Sequence, residues 1–224
     1  MKMKGIVQIL LFIFPWCIRR RLLISLFGFD IHPFSHIGFS IILARSLIMH
    51  QGANISHFNI IIHLDKLELG EKSFIGRGNW ITGFPMRVGS KHFAHDVKRK
   101  CELIIGRESA ITKNHHIDCT NAIYIGNFVT IAGYNSQLLT HSIDVYKCRQ
   151  DSHPIVIGDY SFVSTGVKIL GGSILPAHSV LAAGAVLNKQ YSEEWMLYGG
   201  VPAKGIKRIP QSALYFTRES GYVY

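Results

Sequence analysis

One of the twelve histidines of this 224-residue chain stands apart by its surroundings. His141 follows the regular segment 131–140 and begins an irregular stretch of the sequence. The polar residues near it are Ser136, Gln137, Ser142 and Asp144. A neutral imidazole is well suited to take a proton from a hydroxyl group near neutral pH. These features favour His141 as a general base over the alternative, a histidine with a purely structural role.

Three of these polar residues are candidates for substrate contacts. We predict that Ser136, Gln137 and Asp144 contribute to substrate binding. Asp144 is also predicted to orient the imidazole of His141, because a carboxylate has that role in catalytic triads.

The elements that must position His141 follow a six-residue period. An aliphatic residue recurs at every sixth position, in the order Ile157, Val163, Ile169, Leu175, Leu181 and Leu187. The residues two places before the next aliphatic one are small or β-branched, namely Ser161, Val167, Ser173, Ser179 and Ala185. Neither a helix nor an alternating strand has this period. The pattern predicts an all-β solenoid in which each hexad forms one short strand and one corner, three hexads close a coil, and the aliphatic side chains fill a three-sided prism.

The same period occurs earlier and is interrupted twice. The earlier aliphatic positions are Leu69, Ile75, Ile81, Ile105, Ile111, Ile117 and Ile123, after which the phase slips by two to Ile125, Ile131 and Gln137. The interruptions are 84–102, which is basic, and 138–154. A long excursion from a regular scaffold is more often functional than a tolerated surface insertion. We divide the chain into an apolar and basic N-terminal segment 1–30, a prism 31–190 and a C-terminal extension 191–224.

Residues 69–209 resemble the hexapeptide-repeat acyltransferases, whose fold is a left-handed parallel β-helix. The likeness rests on the in-phase hexads, on Thr140-His141-Ser142 at the start of an interruption, and on one closing phrase. That phrase is Gly199-Gly200-Val201-Pro202-Ala203-Lys204, which is similar to the family's Gly-x-Pro-Ala-Lys signature. The resemblance implies left-handed coiling, in contrast to the usual right-handed crossover. Within the family the chain is most similar to the sugar and polysaccharide O-acetyltransferases.

The resemblance implies an acetyl-CoA-dependent O-acetyltransferase that acts on a sugar hydroxyl of a surface glycan or its precursor. Such a transfer requires removal of the hydroxyl proton, donors for the tetrahedral oxyanion, and alignment of both substrates. In the family a histidine at this loop is the general base, which implies that role for His141. In related enzymes an asparagine often binds acceptor hydroxyls at the position of Asn114. The alternative for Asn114 is an asparagine ladder at a coil corner.

The resemblance also implies where acetyl-CoA would bind. In the family the pantetheine arm runs along the coils between two subunits, which implies a homotrimer. The residues implied beside the arm are Ser164, Thr165, Ala182, Ala183, Asn188 and Lys189, and those near the nucleotide are Gly200 and Lys204. Small residues suit this site because a thin thioester arm must approach the backbone closely. The alternative for the lysines is a solvated basic surface.

The N-terminal segment allows two interpretations. Residues 5–18 are nearly all apolar and precede Arg19, Arg20 and Arg21. This run is shorter than the roughly 20 residues that span a bilayer, and no signal-peptide cleavage site follows it. A helix in the membrane interface, with Lys2, Lys4 and the arginines on lipid phosphates, is one interpretation. A buried helix that covers an open end of the prism is the other, and Pro15 would kink or end the helix in either case.

Composition narrows the classes of protein. A net charge of +10 favours an anionic partner, and 48% hydrophobic residues exclude a disordered chain. The four cysteines form no CxxC pair, which disfavours a zinc framework or a disulfide scaffold and indicates reduced, cytoplasmic thiols. Nucleic-acid binding is disfavoured because aromatic residues are not interleaved with the basic ones.

Three alternative functions stay open at this point. Some hexapeptide-repeat proteins bind zinc through three histidines at a subunit interface and hydrate carbon dioxide, with His115, His116 and His141 as the candidates here. No matching motif is present, so no metal is expected. A chloramphenicol-type acetyltransferase and a non-catalytic scaffold are the other two. We expect a cytoplasmic protein, at the inner face of the membrane if residues 1–30 bind lipid.

Overall fold

The computed structural model describes residues 2–86 and 90–223, except the side chain of Lys2. Met1, residues 87–89 of the first interruption, Tyr224 and the predicted lipid contact of the Lys2 side chain therefore lie outside the described residues. Two α-helices precede the prism, α1 (Lys2–Leu10) and α2 (Trp16–Phe27), with a 3-10 turn at Leu11–Ile13 between them.

Three parallel sheets form the sides of the prism, and each sheet receives one strand from each coil. The first sheet contains β1 (Asp30–Ile31), β4 (Ser46–Met49), β7 (Lys66–Leu69), β10 (Glu102–Ile105), β13 (Ile123–Ile125), β18 (Ile155–Ile157) and β21 (Ile174–Leu175). The second contains β2 (His36–Ile37), β5 (Asn54–Ile55), β8 (Phe74–Ile75), β11 (Ala110–Ile111), β14 (Thr130–Ile131), β19 (Phe162–Val163), β22 (Val180–Leu181), β24 (Met196–Gly199) and β25 (Lys204–Arg208). The third contains β3 (Ile41–Leu43), β6 (Ile60–Ile62), β9 (Trp80–Thr82), β12 (His116–Asp118), β15 (Gln137–Leu139), β20 (Lys168–Leu170) and β23 (Val186–Leu187). The predicted left-handed parallel β-helix is confirmed.

The aliphatic hexad residues form the dry interior of the prism. The six residues from Ile157 to Leu187 are all at most 1% exposed, and so are the small residues Ser161, Val167, Ser173, Ser179 and Ala185. Burying a ladder of such side chains supplies most of the stability of a repeat fold. The prism also extends further than predicted, because β24 continues the second sheet beyond residue 190.

The predicted phase is wrong at one position. Gln137 was expected in the inward phase, but Leu138 is the fully buried residue and Gln137 is half-buried. Ile111 and Ile117 are six residues apart, whereas Ile131 and Leu138 are seven apart, so one corner contains an additional residue. The slip of two after Ile123 has a simpler cause. Strand β13 is three residues long, and both of its ends, Ile123 and Ile125, point inward.

The two N-terminal helices cover the open end of the first coil. The Gln8 amide pairs with the Ile42 backbone, Nε2 donating to the carbonyl at 2.5 Å and Oε1 accepting from the N–H at 2.8 Å. Arg19 donates to the carbonyl of Ile37, and Arg20 Nε donates to the carbonyl of Ile31 at 3.0 Å. Each of the three edge strands of the first coil thus receives hydrogen bonds from a different side chain of the helices. Without them, backbone groups at this end of the prism would be unpaired.

These contacts correct one part of the membrane interpretation. Arg19 is buried and Arg20 is half-buried against the first coil, so neither is placed to meet lipid phosphates. Pro15 separates the helices as predicted, since α2 begins directly after it. Within the part of the chain that the structure describes, no helix is long and apolar enough to cross a membrane.

The two interruptions leave the prism at the same corner, where third-sheet strands lead into first-sheet strands. We call this edge the hairpin corner; among the described residues it comprises 44–45, 63–65, 83–86, 90–101, 119–122, 140–154, 171–173 and 188–189. The first excursion, 83–101, contains a 3-10 turn at Lys91–Phe93. The second is an antiparallel hairpin of β16 (His141–Asp144) and β17 (Arg149–Ser152).

The C-terminal extension turns back along the prism. Strand β25 runs antiparallel to β24, and a 3-10 turn at Leu214–Thr217 follows. Tyr215 Oη donates to the carbonyl of Ser161 at 3.3 Å, and the Gly221 N–H donates to Glu108 Oε2 at 2.8 Å. The extension therefore fixes the last coils to the middle of the prism.

Candidate active site

His141 is the first residue of the hairpin and is separated from the third-sheet strand β15 only by Thr140. The coil before it crosses the same corner by the short turn 119–122, which follows Asp118 at the end of β12. Parallel pairing places β12 beside β15, with Asp118 opposite Leu139. The end of one strand and the start of the hairpin therefore lie next to each other, although their residues are more than twenty positions apart.

The imidazole of His141 forms a short hydrogen bond with a carboxylate. His141 Nδ1 lies 2.6 Å from Asp118 Oδ2, and the His141 backbone N–H donates to the same oxygen at 3.2 Å. Because Asp118 Oδ2 accepts, the proton of a neutral ring is on Nδ1 and the lone pair is on Nε2. The side chain of His141 is 45% exposed, and Nε2 has no hydrogen-bond partner among the described residues.

Two threonines hold the carboxylate. Thr120 Oγ1 donates to Asp118 Oδ1 at 2.6 Å, and the Thr120 N–H reaches the same oxygen at 3.2 Å. The Thr140 N–H donates to Asp118 Oδ2 at 3.2 Å, and its hydroxyl lies 3.1 Å from that oxygen. Both oxygens of a nearly buried carboxylate are thus occupied by donors, which fixes the acceptor for the imidazole.

Electrostatics favours a stronger base at His141. The hydrogen bond to Asp118 raises the pKa of His141 against the opposing effect of partial burial. Burial acts to raise the pKa of Asp118, but the hydrogen bonds from His141 and Thr120 outweigh it and the pKa is lowered. The pair therefore keeps Asp118 ionised while the imidazole retains a high affinity for a proton.

An aromatic side chain of the first excursion packs against the imidazole of His141. The ring of Phe93 meets the ring of His141 edge-on, with centroids 6.5 Å apart. The Arg99 guanidinium lies 4.5 Å from the centroid of Phe93 and donates to the carbonyls of Phe84, at 2.5 Å, and Thr120. This arginine ties the excursion to the corner that carries Asp118, so the excursion and the hairpin together define the position of the imidazole.

The carboxylate that faces His141 is not the predicted one. Asp144 lies three residues further along β16, where its carboxylate accepts the N–H of Tyr146 at 3.1 Å and pairs with Lys147 at 3.3 Å. It stabilises the turn of the hairpin and makes no hydrogen bond to the imidazole among those that the structure describes. The prediction that Asp144 orients the ring is therefore wrong, and Asp118 has that position.

The predicted substrate-binding residues are divided between two corners. We call the edge between the second and third sheets the far corner; it comprises 112–115, 132–136, 164–167, 182–185 and 200–203. Ser136 is fully buried there, so it cannot contact an acceptor outside the prism, and that assignment is corrected. Asn114 is exposed at the same corner with φ of 55°, and its backbone links the neighbouring coils. Gln137 begins β15 beside His116 on the outer face that leads to His141.

Most of the predicted donor-site residues form one column at the far corner. The Ala182 N–H donates to Tyr198 O at 2.8 Å, and the Gly184 N–H donates to Thr165 O at 3.0 Å, so successive coils stack directly. The members of the column are Ser164, Thr165, Ala182, Ala183 and Gly200. Gly199 approaches so closely that an added Cβ would lie 2.9 Å from the Ala182 methyl group. The column is therefore narrow and presents mostly backbone.

The remaining predicted donor-site residues lie elsewhere. Asn188 and Lys189 follow β23 at the hairpin corner, and the Lys189 ammonium lies 5.0 Å from the centroid of Tyr191. Lys204 is exposed at the start of β25, opposite Gly199. Within one chain, His141 and the far-corner column are separated by the width of the third sheet, about 10 Å for a strand of three residues.

Comparisons with known proteins give structural matches only. No model of a protein family and no curated protein matches the sequence. A hexapeptide-repeat acetyltransferase from Vibrio cholerae O1 biovar eltor, solved in complex with acetyl coenzyme A, is 26% identical with a TM-score of 0.51. The match covers 64% of this chain and 71% of that one. A polysialic acid O-acetyltransferase is 16% identical with a TM-score of 0.59, over 84% of this chain and 90% of that one.

The chain has the fold of the hexapeptide-repeat acetyltransferases. An open cavity of about 480 Å³ lies between the first excursion and the hairpin, and His141 is not among its lining residues. The first excursion contributes His95, Asp96, Lys98, Arg99 and Lys100, the hairpin side contributes Asp151, Ser152, His153 and Pro154, and the prism contributes Asn121, Ala122 and Tyr124. Ser152 Oγ and Asp96 Oδ2, 3.2 Å apart, connect the two excursions above it.

The three histidines of the metal alternative do not converge within one chain. His115 is fully buried at the far corner, His116 points outward from the third sheet, and His141 lies at the hairpin corner. Across residues 2–86 and 90–223, no group of three or more histidine, cysteine, aspartate or glutamate side chains is arranged to hold a metal ion.

Five residues of the site were missed by the sequence analysis: Asp118, Thr120, Thr140, Phe93 and Arg99. A usable signal existed for Asp118. Ile117 and Leu138 are both inward residues of the third sheet and are 21 positions apart. Counting that coil as 21 residues places Asp118 beside Leu139, one coil below the start of the hairpin.

Proposed function

We propose that this chain transfers the acetyl group of acetyl-CoA to a hydroxyl group of a sugar. The observation that carries the proposal is the hydrogen-bonded pair of His141 and Asp118, with Nε2 of the imidazole exposed at the start of the hairpin. The similar protein of Vibrio cholerae, solved with acetyl-CoA, supports the choice of donor.

In the proposed reaction His141 is the general base. Nε2 takes the proton of the acceptor hydroxyl as its oxygen attacks the acetyl carbonyl carbon, and the C–O bond forms. The tetrahedral intermediate then collapses, the C–S bond breaks, and the imidazolium returns the proton to the leaving thiolate. Asp118 stabilises the imidazolium while the charge is on the ring, as a carboxylate does in other acyl-transfer sites. Both substrates are bound together, so no covalent enzyme intermediate is needed.

The far-corner column fits the arm of coenzyme A. Ala183, Thr165 and Gly200 are exposed and small, which leaves backbone groups open to a thin chain. Lys204 and Lys189 are exposed near the end of the prism, where a cation suits the phosphates of the nucleotide.

A site between two protomers is supported by the positions of these parts. Within one chain, His141 and the column lie at opposite ends of the third-sheet strands. If two protomers pack side by side, the pantetheine arm on the column of one can lie next to His141 of the other. We therefore propose a cyclic trimer in which each site combines two chains. Sedimentation analysis tests this part: a fully active monomer would contradict it.

A sugar acceptor is supported by the cavity beside the hairpin. Half of its lining residues carry charged or amide side chains, such as Lys98, Asn121 and Asp151, which can donate to and accept from the hydroxyls of a glycan.

The activity is tested by incubating the full chain with acetyl-CoA and a panel of acceptors while free thiol is measured. The panel contains a neutral hexose, an amino sugar, sialic acid, its polymer and chloramphenicol. Cys17 and Cys148 are exposed and free, so a reaction without acceptor supplies the background. We expect thiol release with at least one sugar and an acetylated product by mass spectrometry. Release only with chloramphenicol would contradict the sugar acceptor, and absence of both coenzyme A binding and thiol release would contradict acyl transfer.

A further inference from the structure

The N-terminal helices have an inner face that packs on the first coil and an outer apolar face that the fold leaves exposed. The inner face carries Gln8, Leu11, Arg19 and Leu23, all buried against the first coil. The opposite face carries large apolar side chains that are exposed: Met3 by 79%, Ile6 by 58%, Leu10 by 57% and Ile13 by 82%. Spacings of three and four residues place these four along one side of the helical segment. We call them, with Phe14 and Ile18, the outer face.

A helix that only covers the end of a prism needs a single apolar face. Its other side meets water and normally carries polar residues. A contiguous apolar patch on the surface is therefore a sign of a further contact. Two further large apolar side chains beyond the 3-10 turn, Phe14 and Ile18, are each 43% exposed and are counted with the outer face.

The charged residues of the two helices are all positive. No aspartate or glutamate occurs before Asp30. Lys4 and Arg21 on the helices are exposed, and so is Arg45 on the adjoining corner of the first coil. Exposed cations around an apolar helical face are complementary to anionic lipid, where each contributes roughly 1 kcal/mol of attraction.

The same charges disfavour a second copy of the chain as the occupant. Two outer faces packed against each other would bring Lys4 and Arg21 of one copy close to the same cations of the other, with no acidic residue on the helices to balance them. The helices have 9 and 12 residues and are too short to span a bilayer.

We propose that the outer face lies in the interface of a bilayer that contains anionic lipid, with the prism projecting away from the membrane. The same helices would then cover the first coil with their inner face and contact the membrane with their outer face. This proposal does not depend on the acyl-transfer activity.

Vesicle sedimentation with the full chain tests the proposal. The vesicles contain either phosphatidylcholine alone or phosphatidylcholine with phosphatidylglycerol. The outer-face variant replaces Ile6, Leu10 and Ile13, which are 57–82% exposed, by glutamine. The matched control replaces Val97, Val145 and Tyr146, which are 76–97% exposed and lie on the two excursions, by glutamine as well. Far-UV circular dichroism and thermal unfolding confirm that both variants fold, which is expected because all six side chains are at the surface.

We expect the wild type to bind the anionic vesicles, with several-fold weaker binding in 0.5 M salt or on neutral vesicles. The outer-face variant should bind at least roughly tenfold more weakly, and the control variant should bind like the wild type. The proposal is overturned if the wild type stays in the supernatant or if the outer-face variant binds equally well. A wild type that ignores vesicles but forms a larger assembly, which the outer-face variant dissociates, would assign the face to a second copy instead.

Discussion

Two histidines at opposite ends of the third sheet have opposite properties. His115, at the far corner, is fully buried, and burial lowers its pKa to about 4. His141, at the hairpin corner, is half-exposed, and the hydrogen bond to Asp118 raises its pKa. The two rings lie in neighbouring coils of the same prism, so the difference comes from their immediate partners.

The partners explain why only one of the two can act as a base. The Ser136 N–H donates to His115 Nδ1 at 3.2 Å, and His115 Nε2 lies 3.1 Å from the Thr112 hydroxyl. Both ring nitrogens are used inside the prism, and no carboxylate accompanies them. His115 continues a buried corner ladder from Asn59 and Asn79, because its backbone N–H donates to Asn79 Oδ1 at 2.9 Å. His141 instead has one nitrogen on a carboxylate and the other at the surface.

The largest expected effect is that of His141→Ala. Without the base, kcat should fall by roughly a hundredfold or more, because general-base catalysis by a positioned imidazole contributes on that order. Binding of coenzyme A, measured by calorimetry, should change little because the column and the lysines are proposed to hold the arm and the nucleotide, whereas His141 acts on the acceptor hydroxyl.

His50→Ala is the matched control for that variant. His50 is also exposed and also pairs with a carboxylate, with His50 Nε2 3.1 Å from Glu68 Oε1, but it lies in the second coil, away from the hairpin. Its loss should leave kcat unchanged. Equal kcat in the two variants would remove His141 from the mechanism.

Asp118→Asn should have the next largest effect. The variant keeps the size of the side chain but loses the charge that raises the pKa of His141. The base acts when uncharged, so kcat/KM rises with pH as His141 loses its proton. The midpoint of that rise should move to lower pH in the variant, and the plateau should fall roughly 10- to 100-fold.

The pH profile separates a catalytic role of the pair from a structural one. A lower plateau with an unchanged midpoint would mean that Asp118 does not set the proton affinity of His141. Thermal unfolding of the variant shows whether the loss of charge disturbs Thr120 and Thr140, which both donate to this carboxylate.

The fold could be predicted from the sequence because every coil must place aliphatic side chains inside the prism. An inward aliphatic residue at each hexad fills the prism, and this rule located Ile157, Ile169 and Leu187 without any contact information. His141 stood out because it begins an interruption of that rule, and its role as the base stays a prediction. The hexads could not reveal the covering role of Gln8, Arg19 and Arg20, which depends on hydrogen bonds to strand edges rather than on periodicity.

The partner of His141 was missed for a different reason. Asp144 is close in sequence, but an antiparallel hairpin carries it away from the base, whereas parallel stacking brings Asp118 from the previous coil. To choose between Asp118 and Asp144, the strand register between the two coils must be known to a single residue. The additional residue in 132–136 shifted the predicted register. Ser136 was assigned outward by the same error, although its position is inside the prism.

The variant His115→Asn tests whether burial lowers the proton affinity of His115. The folded-state pKa of about 4 lies below the ordinary value of 6.5, so the unfolded chain binds more protons between these values. Stability is therefore complete above pH 6.5 and declines as the pH falls. At pH 5 the loss from this residue is about 2 kcal/mol. Asparagine should extend the ladder of Asn59 and Asn79 without this loss.

Denaturant unfolding of the wild type and His115→Asn at pH 7 and pH 5 measures the difference. The wild type should lose about 2 kcal/mol more than the variant over this range, since the other titrating groups are shared. If the free energy of unfolding changes equally with pH in the two proteins, His115 takes up a proton in the folded state as readily as in the unfolded chain. The two histidines would then not differ in the way described above.

The smallest expected effect concerns Phe93, which touches the exposed imidazole and not the buried one. Phe93→Leu removes the ring that meets His141 edge-on at 6.5 Å and that lies beneath Arg99. The imidazole then has more freedom, so kcat should fall by about threefold while KM for acetyl-CoA is unchanged, because misorientation of a base acts on the chemical step. Phe93→Tyr keeps the ring and should retain the activity. If Phe93→Leu matches the wild type, the first excursion does not position the base, and Asp118 alone distinguishes His141 from His115.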